Sequence, residues 1–472
     1  MKICFLARPT FDRYSVKFLN TFRNLYDKEA EGIFITTNKK ETNYVKKNIE
    51  NVEVHETSTY LKKHWNEFTV EKLVYYEEKY QCKPIWKYIY TDRFLIYKNY
   101  DYVVRITVGL FSFFEEIFKN SKVDFYYSEV IATLQCYIAY IVGKKYNVKY
   151  ISQMCARGSL YSLFHYHVVE EYQYNSLFPK NYKNIVFSSQ EIEFANRYLE
   201  EFEKRQDTGL EELNRKTKPK FNIKMIQGII LRFINSFNPL YNDKYSYMYY
   251  GFYKKLSNEI KFYYNYKKEE KYYKKADLTK KYVYYPLHYQ PEASTCVCAE
   301  KYENQLFYID SWAKSLPADT LLYVKEHYVH LGNRDLQFYK ELKKYPNVVL
   351  IDPWESTKKL IENSVAVTTL TGSAGFEAML LRKPVFLGGN SVYENAPGVI
   401  KVNDIYQNYL PNIESWKKPT RSEIIQYLCA CIRSYDKGNV YAQFNYDLID
   451  ENIELLCESV YKQMNRLKKK DS

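Results

Sequence analysis

A chain of 472 residues, 46% hydrophobic and 26% charged, is too long for one compact core, so two or more domains are expected. Only 14 Gly and 14 Pro exclude collagen-like, elastic and low-complexity classes. The 69 Lys and Arg against 56 Asp and Glu give a net charge of +13, which favours an anionic partner such as nucleotide phosphate, nucleic acid or an acidic lipid surface.

In chain order, residues 1–164 alternate β-type runs with helical patterns. Strands are predicted at 2–6, 32–36, 123–127 and 148–153, and helices at 14–26, 109–118 and 130–145. This alternation predicts a parallel sheet covered on both faces, a Rossmann-like domain. Residues 165–280 change character, rich in Tyr, Lys and Glu, and read as a helical insertion with a helix at 189–204, a basic stretch at 215–224 and an amphipathic piece at 223–237. From 281 to 410 the theme returns as a second Rossmann-like domain. Its predicted strands are 282–286, 320–325, 347–351, 365–369 and 384–387, and its helices 302–315, 335–344, 356–363 and 373–381. Residues 411–472 read as helices packing across the lobes, with Ile424, Leu428, Leu455 and Val460 on buried faces. The fold class expected is α/β, two Rossmann-like domains facing a central cleft where such sheets bind ligands.

The first residues carry about five apolar positions before Arg8, fewer than the roughly 7 to 15 of a secretory h-region, so a cytoplasmic location is expected. The most apolar window, 130–142, suits a buried helix rather than a membrane span. Nine cysteines lie without metal-ligand spacing and read as reduced thiols, so neither a zinc site nor a disulfide frame is expected. The 53 tyrosines suggest phenols at a wet surface or lining a polar cleft.

Three polar corners follow predicted strands of the second domain, all at its ligand-facing edge. The run Leu370-Thr371-Gly372-Ser373-Ala374-Gly375-Phe376-Glu377 joins a strand to a helix, with Ser373 as expected N-cap. Free N–H groups and the helix dipole there suit phosphate or carboxylate, and Glu377, one turn on, can accept ribose hydroxyls. The plain alternative is a capped corner with a solvated Glu. In the second corner, Lys325 and His327 can neutralise a phosphate, and His327 can protonate a leaving group if its pKa lies near neutrality. The third runs through His288, Gln290 and Glu292.

These residues carry a resemblance. His288-Tyr289-Gln290-Pro291-Glu292, Lys325-Glu326-His327, Pro346-Asn347-Val348, the 371–378 run and Lys383-Pro384-Val385 resemble the bacterial capsular and surface polysaccharide biosynthesis family, which includes Kdo transferases, over about residues 280–400. Where that family has His-Pro, this chain has His327-Tyr328. The resemblance implies a GT-B glycosyltransferase without an essential metal or cofactor, taking a nucleotide sugar as substrate, CMP-linked sugars among the candidates. It implies donor contacts from His288, Gln290, Lys325, His327, Thr371, Gly372, Ser373 and Glu377.

In the first domain, Glu129 follows the predicted strand 123–127 and is the candidate catalytic carboxylate, with dipole complementation of a helix as its plain alternative. Arg8 and Arg157 follow other strands and suit an acidic acceptor or donor phosphate, or structural ion pairs. The insertion suits a glycan cradle, an anionic membrane surface met by Arg215, Lys218, Lys220 and Lys224 above Ile229, Ile230 and Phe233, or a solvated hairpin. No nucleic-acid motif is present. The activity expected is transfer of a sugar from a nucleotide donor to a glycan or lipid-linked glycan acceptor. Rivals are a nucleotide-sugar 2-epimerase, a polyol-phosphate transferase and an inactive glycan- or lipid-binding assembly protein.

Overall fold

The computed structural model describes residues 1–169, 182–206, 223–238, 240, 243–402, 413–444 and 448–469. Two sheets organise it. In space the first runs 436–437, 164–168, 149–155, 125–127, 2–7, 31–36, 52–56 and the second 399–401, 385–387, 366–369, 282–286, 321–325, 348–351.

The first sheet comprises β1 (Lys2–Ala7), β2 (Glu31–Thr36), β3 (Val52–Glu56), β4 (Phe125–Tyr127), β5 (Lys149–Cys155), β6 (Phe164–Val168) and β13 (Asp436–Lys437). Strands β1 to β5 are mutually parallel, and β6 and β13 join antiparallel at one edge. β1 is apolar and buried along nearly its whole length, as a central parallel strand covered on both faces must be. One face packs under the helices Tyr100–Asn120 and Leu134–Lys145, the other under Asp12–Leu25 and the last helix, Asp450–Lys469. The chain end therefore completes the core of the first lobe: Ile453, Leu456, Val460 and Met464 lie against Ile3, Phe5 and Phe18.

The second sheet is wholly parallel: β7 (Tyr282–Pro286), β8 (Leu321–Lys325), β9 (Val348–Ile351), β10 (Ala366–Thr369), β11 (Val385–Leu387) and β12 (Val399–Lys401). Its tyrosines depart from expectation. Tyr282, Tyr284 and Tyr285 are fully buried, and Tyr308 and Tyr339 lie beneath the same sheet. Partners make this tolerable: Tyr282 donates to the Leu360 carbonyl at 2.8 Å, and Tyr308 meets the Thr368 hydroxyl at 2.6 Å.

The segment 165–280 is not one helical body. β6 lies within it and extends the first sheet, because its alternation of apolar and His residues pairs with β5. The helix Ser189–Lys204, started by a Ser188 and Glu191 capping box, buries Ala195, Leu199 and Phe202 in the second lobe beside Leu428. Tyr247 instead enters the first lobe, where it donates to Asp92, whose carboxyl burial pushes up to about 7. The side chains of the basic stretch 215–224 lie outside the described residues. No helix among the described residues is long and apolar enough to cross a membrane.

Candidate active site

Neighbouring parallel strands end at the same edge, so the loops after β10, β7 and β8 converge. They wall a cavity of about 550 Å³ into which Arg93, Arg157 and Tyr441 reach from the first lobe. The corner at Thr371 thus opens inward, toward the gap between the lobes.

At that corner the helix Ser373–Leu380 begins at the expected residue, but its N-cap is not Ser373. Gly372, extended at φ −68° and ψ 157°, is the N-cap, and Ser373 is the first helical residue, without a capping side chain. The Gly375 N–H returns to the Gly372 carbonyl at 3.1 Å. The Ser373 and Ala374 N–H groups stand at the unfilled end of the helix, on the cavity wall. Glycine at 372 is required by space, since a Cβ would lie 2.9 Å from the His288 ring and 3.0 Å from the Thr369 hydroxyl. His288 pins the corner from behind: its Nε2 accepts the Leu370 N–H at 3.1 Å and lies 3.1 Å from the Thr369 hydroxyl. Burial pushes this imidazole down to about 3, so at neutral pH it is uncharged, with Nε2 occupied as acceptor and the proton on Nδ1. The Thr371 hydroxyl donates to the Ser294 carbonyl at 2.8 Å, joining the first and third corners.

The corner after β8 is braced from within. Lys325 lines the cavity, and its ammonium donates to the Glu355 carbonyl at 2.5 Å and the Thr357 hydroxyl at 2.7 Å. Glu326 points into the core, where Arg334 grips both its oxygens at 2.5 and 3.2 Å. Burial works to raise the Glu326 carboxyl, but the guanidinium prevails and holds it below the usual carboxylate range. Arg334 also donates to the His288 carbonyl at 3.1 Å, tying the second corner to the third. Beneath them, Tyr339 donates to Glu326 at 2.9 Å, while burial raises Glu269 to about 8. For His327, the condition for proton donation is not met: burial pushes it down to about 4, and its Nδ1 accepts the Val329 N–H at 3.3 Å. It faces the cavity as a neutral ring with Nε2–H as donor.

Of the sequence-predicted residues, His288, Lys325, His327, Thr371, Gly372, Ser373, Glu377 and Arg157 line the cavity. Gln290 does not. Its amide donates to the Glu303 carbonyl at 2.7 Å and accepts from Gln305 at 2.7 Å, so it braces the loop instead of meeting a ligand. Arg8 and Glu129 also lie outside the lining: Arg8 holds both oxygens of Glu129, at 2.9 and 2.8 Å, the structural ion pair that was Arg8's alternative reading. The sequence reading missed Arg93, Arg334 and Tyr441, none of which follows a predicted strand or belongs to a motif. Glu292, quoted in the motif without a role, lines the cavity and accepts from Ser294 at 2.8 Å.

The sheets, the cleft and the placement of the strand-end corners define a two-lobed α/β protein of GT-B-like architecture. Residues 195–430, half of the chain, match the family described as capsule polysaccharide biosynthesis protein, and the chain belongs to that family. Among solved structures it is similar to the beta Kdo 2,7 transferase KpsC of Thermosulfurimonas dismutans (14% identity, TM-score 0.38, covering 75% of this chain and 88% of that one). It is also similar to UDP-GlcNAc 2-epimerase of Methanocaldococcus jannaschii in complex with UDP-GlcNAc and UDP (12%, 0.30, 90% and 98%). A third is Anabaena HepE in complex with UDP-glucose (10%, 0.31, 100% and 100%). No curated protein sequence matches significantly.

The buried neutral His288 makes stability depend on pH. Its folded value near 3 lies below the ordinary 6.5, so between them the unfolded chain binds a proton that the folded chain does not. Stability present above 6.5 is therefore lost as pH falls through that window. Glu269, raised to about 8, acts with the opposite sign, so a comparison of variants isolates the histidine. In urea unfolding between pH 7 and 4, His288→Gln should flatten the fall in stability by up to about 1.4 kcal/mol per pH unit. Parallel slopes for the two proteins would contradict a neutral imidazole at this position.

Proposed function

We propose that the protein is a glycosyltransferase that takes a nucleotide sugar into the cavity between its lobes and passes the sugar to a growing capsular or surface polysaccharide or its lipid-linked primer. The observation that carries this reading is the Thr371 corner, where the first N–H groups of a helix, the Lys325 ammonium and the His327 ring share one cavity wall. A diphosphate or phosphodiester fits such a wall, because helix N–H donors and an ammonium are complementary to its oxygens. His327 contributes as a hydrogen-bond donor, not as an acid. Arg157, from the opposite lobe, adds positive charge, so the bound donor would itself bridge the lobes. Glu377, buried one turn along, is suited to the nucleoside hydroxyls.

Deprotonation of the acceptor hydroxyl needs a carboxylate within the cavity. Glu129 is neutralised by Arg8 outside it, so the role passes to Glu292.

Calorimetric titration with CMP-, UDP- and GDP-sugars should give saturable heat with one nucleotide class, and Gly372→Ala should weaken it at least about tenfold by displacing His288. No heat from any donor would remove the transferase reading in favour of a binding protein. Isomerised donor formed without acceptor would favour an epimerase. In turnover assays, Glu292→Gln should lower kcat by about 10²–10⁴ with donor KM little changed, whereas Glu129→Gln retains most of kcat.

The membrane-facing part of the reading rests on the helix Ile223–Asn235. Ile226, Ile230, Phe233 and Ile234 recur at helical spacing on one face and are 42–59% exposed. Arg232 turns the other way and pairs with Glu259 of the helix Phe252–Glu269, at 2.5 Å. The ionic side of the helix thus faces protein and the apolar side faces water, the reverse of a surface helix that packs on its own domain. Exposed Lys254, Lys261 and Lys268 on the neighbouring helix and the chain's +13 charge support an anionic bilayer as the partner of this face. The protein should co-sediment with phosphatidylglycerol vesicles and not with phosphatidylcholine, and Ile230→Asp with Ile234→Asp should cut partitioning at least about tenfold. Unchanged partitioning of the double variant, or burial of the face in a dimer, would overturn this docking mode.

A further inference from the structure

Away from the cavity, the antiparallel edge of the first sheet holds two histidines and a carboxylate facing one another. His165 and His167 are alternate residues of β6, so both rings project from the same face. Asp436, on β13, stands directly opposite His165 in the register. One ligand atom from each of the three lies within 4.8 Å of the others, and His167 Nε2 is 3.6 Å from Asp436 Oδ2. The expectation that no metal site exists rested on cysteine spacing and did not weigh this His-x-His.

We infer that His165, His167 and Asp436 form a binding site for one divalent transition-metal ion of the zinc class, which fastens the crossover strand β13 to the edge of the first sheet. Two imidazoles and a carboxylate are a borderline donor set that suits Zn²⁺ or Co²⁺ over Mg²⁺ or Ca²⁺. Around a tetrahedral ion with ligands at about 2.0–2.2 Å, ligand atoms stand roughly 3.3–3.6 Å apart. The His167 to Asp436 separation already meets this, and the set closes on an ion with side-chain adjustments of about 1 Å.

The surroundings orient the ligands. His165 Nδ1 donates to the Gly438 carbonyl at 3.1 Å, so its Nε2 lone pair faces the cluster, the outer-shell bond that metal-bound histidines commonly make. Ser459, on the last helix, draws both rings together: its hydroxyl is 2.7 Å from His165 Nε2 and 2.5 Å from His167 Nε2. A hydroxyl has one proton and can donate to only one of them. Gln153 also approaches His165 Nε2, at 2.9 Å, and both groups must yield that lone pair to an ion. Among the described residues His167 Nδ1 is buried with no hydrogen-bond partner, and the Ser459 hydroxyl holds the ring from its Nε2 side. Both histidines are buried, whereas the Asp436 side chain is 24% exposed and leaves a path for entry. Burial raises the Asp436 carboxyl above the usual carboxylate range, and Arg466 and Lys462 of the last helix only partly oppose this while reducing the attraction for a dication. None of the three ligands lines the cavity, so the ion's role is structural. It would act where the chain leaves the helix Arg421–Ser434 of the second lobe for the helix Asp450–Lys469 on the first.

The test uses the full chain without a histidine tag, stripped by chelator and titrated with Co²⁺ and then Zn²⁺. Expected are one Co²⁺ per chain with the intense visible absorption of a four-coordinate site, its loss on adding Zn²⁺, and a melting temperature raised by stoichiometric Zn²⁺. Asp436→Asn, at a partly exposed position, should fold and weaken binding at least about 10–100-fold. Ser459→Ala, which removes no ligand, should retain binding. Absence of a stoichiometric ion, a six-coordinate Co²⁺ spectrum, or affinity unchanged in Asp436→Asn would each reduce the cluster to buried hydrogen bonding and overturn the inference.

Discussion

The floor of the cavity hangs from one buried ion pair. Arg334 grips Glu326 and, with a further N–H, the carbonyl of His288, so the loops after β7 and β8 cannot move independently. His288 in turn holds the loop after β10 through the Leu370 N–H. A guanidinium suits this task because its planar fork serves a carboxylate and a carbonyl at once, which an ammonium cannot do with the same geometry. Removing one member of such a pair typically costs about 3–5 kcal/mol, since the other is left charged and desolvated. The cavity wall is thus built on electrostatics its ligand never touches.

This arrangement separates holding from binding. Groups that brace the corners, Gln290, Arg334 and Tyr339, spend their polar atoms on protein partners. Groups that face the cavity combine helix N–H donors with rings kept uncharged by burial. His288 and His327, pushed down to about 3 and about 4, keep one protonation state across the neutral range, so their hydrogen-bonding roles do not change there.

Much of the fold was legible in the sequence because strands such as β1, β7 and β8 are nearly continuous apolar runs bounded by polar turns. The helix Ser189–Lys204 was read to the residue because its capping box and apolar spacing agree. Strand β6 was not, since its alternation of His with apolar residues spans only five positions and its pairing with β5 is what makes it a strand. At the site, motif residues at strand ends were found, because parallel topology alone puts them on one edge. Gln290 and Glu129 lie outside the cavity lining, because proximity to a strand end says nothing about which way a side chain turns or which protein group holds it. Arg93 and Arg334 were invisible for the complementary reason: tertiary packing brings them in, and no local pattern announces it.

The last helix buries Ile453, Leu456 and Met464 against strands made from the first residues of the chain. During synthesis the amino-terminal sheet would emerge from the ribosome with the helix Asp12–Leu25 but long before the last helix that shares its face. Part of that apolar face must wait, exposed, until residues 450–469 have been made, which makes the nascent chain a natural client for chaperones and couples maturation of the first lobe to synthesis of the second.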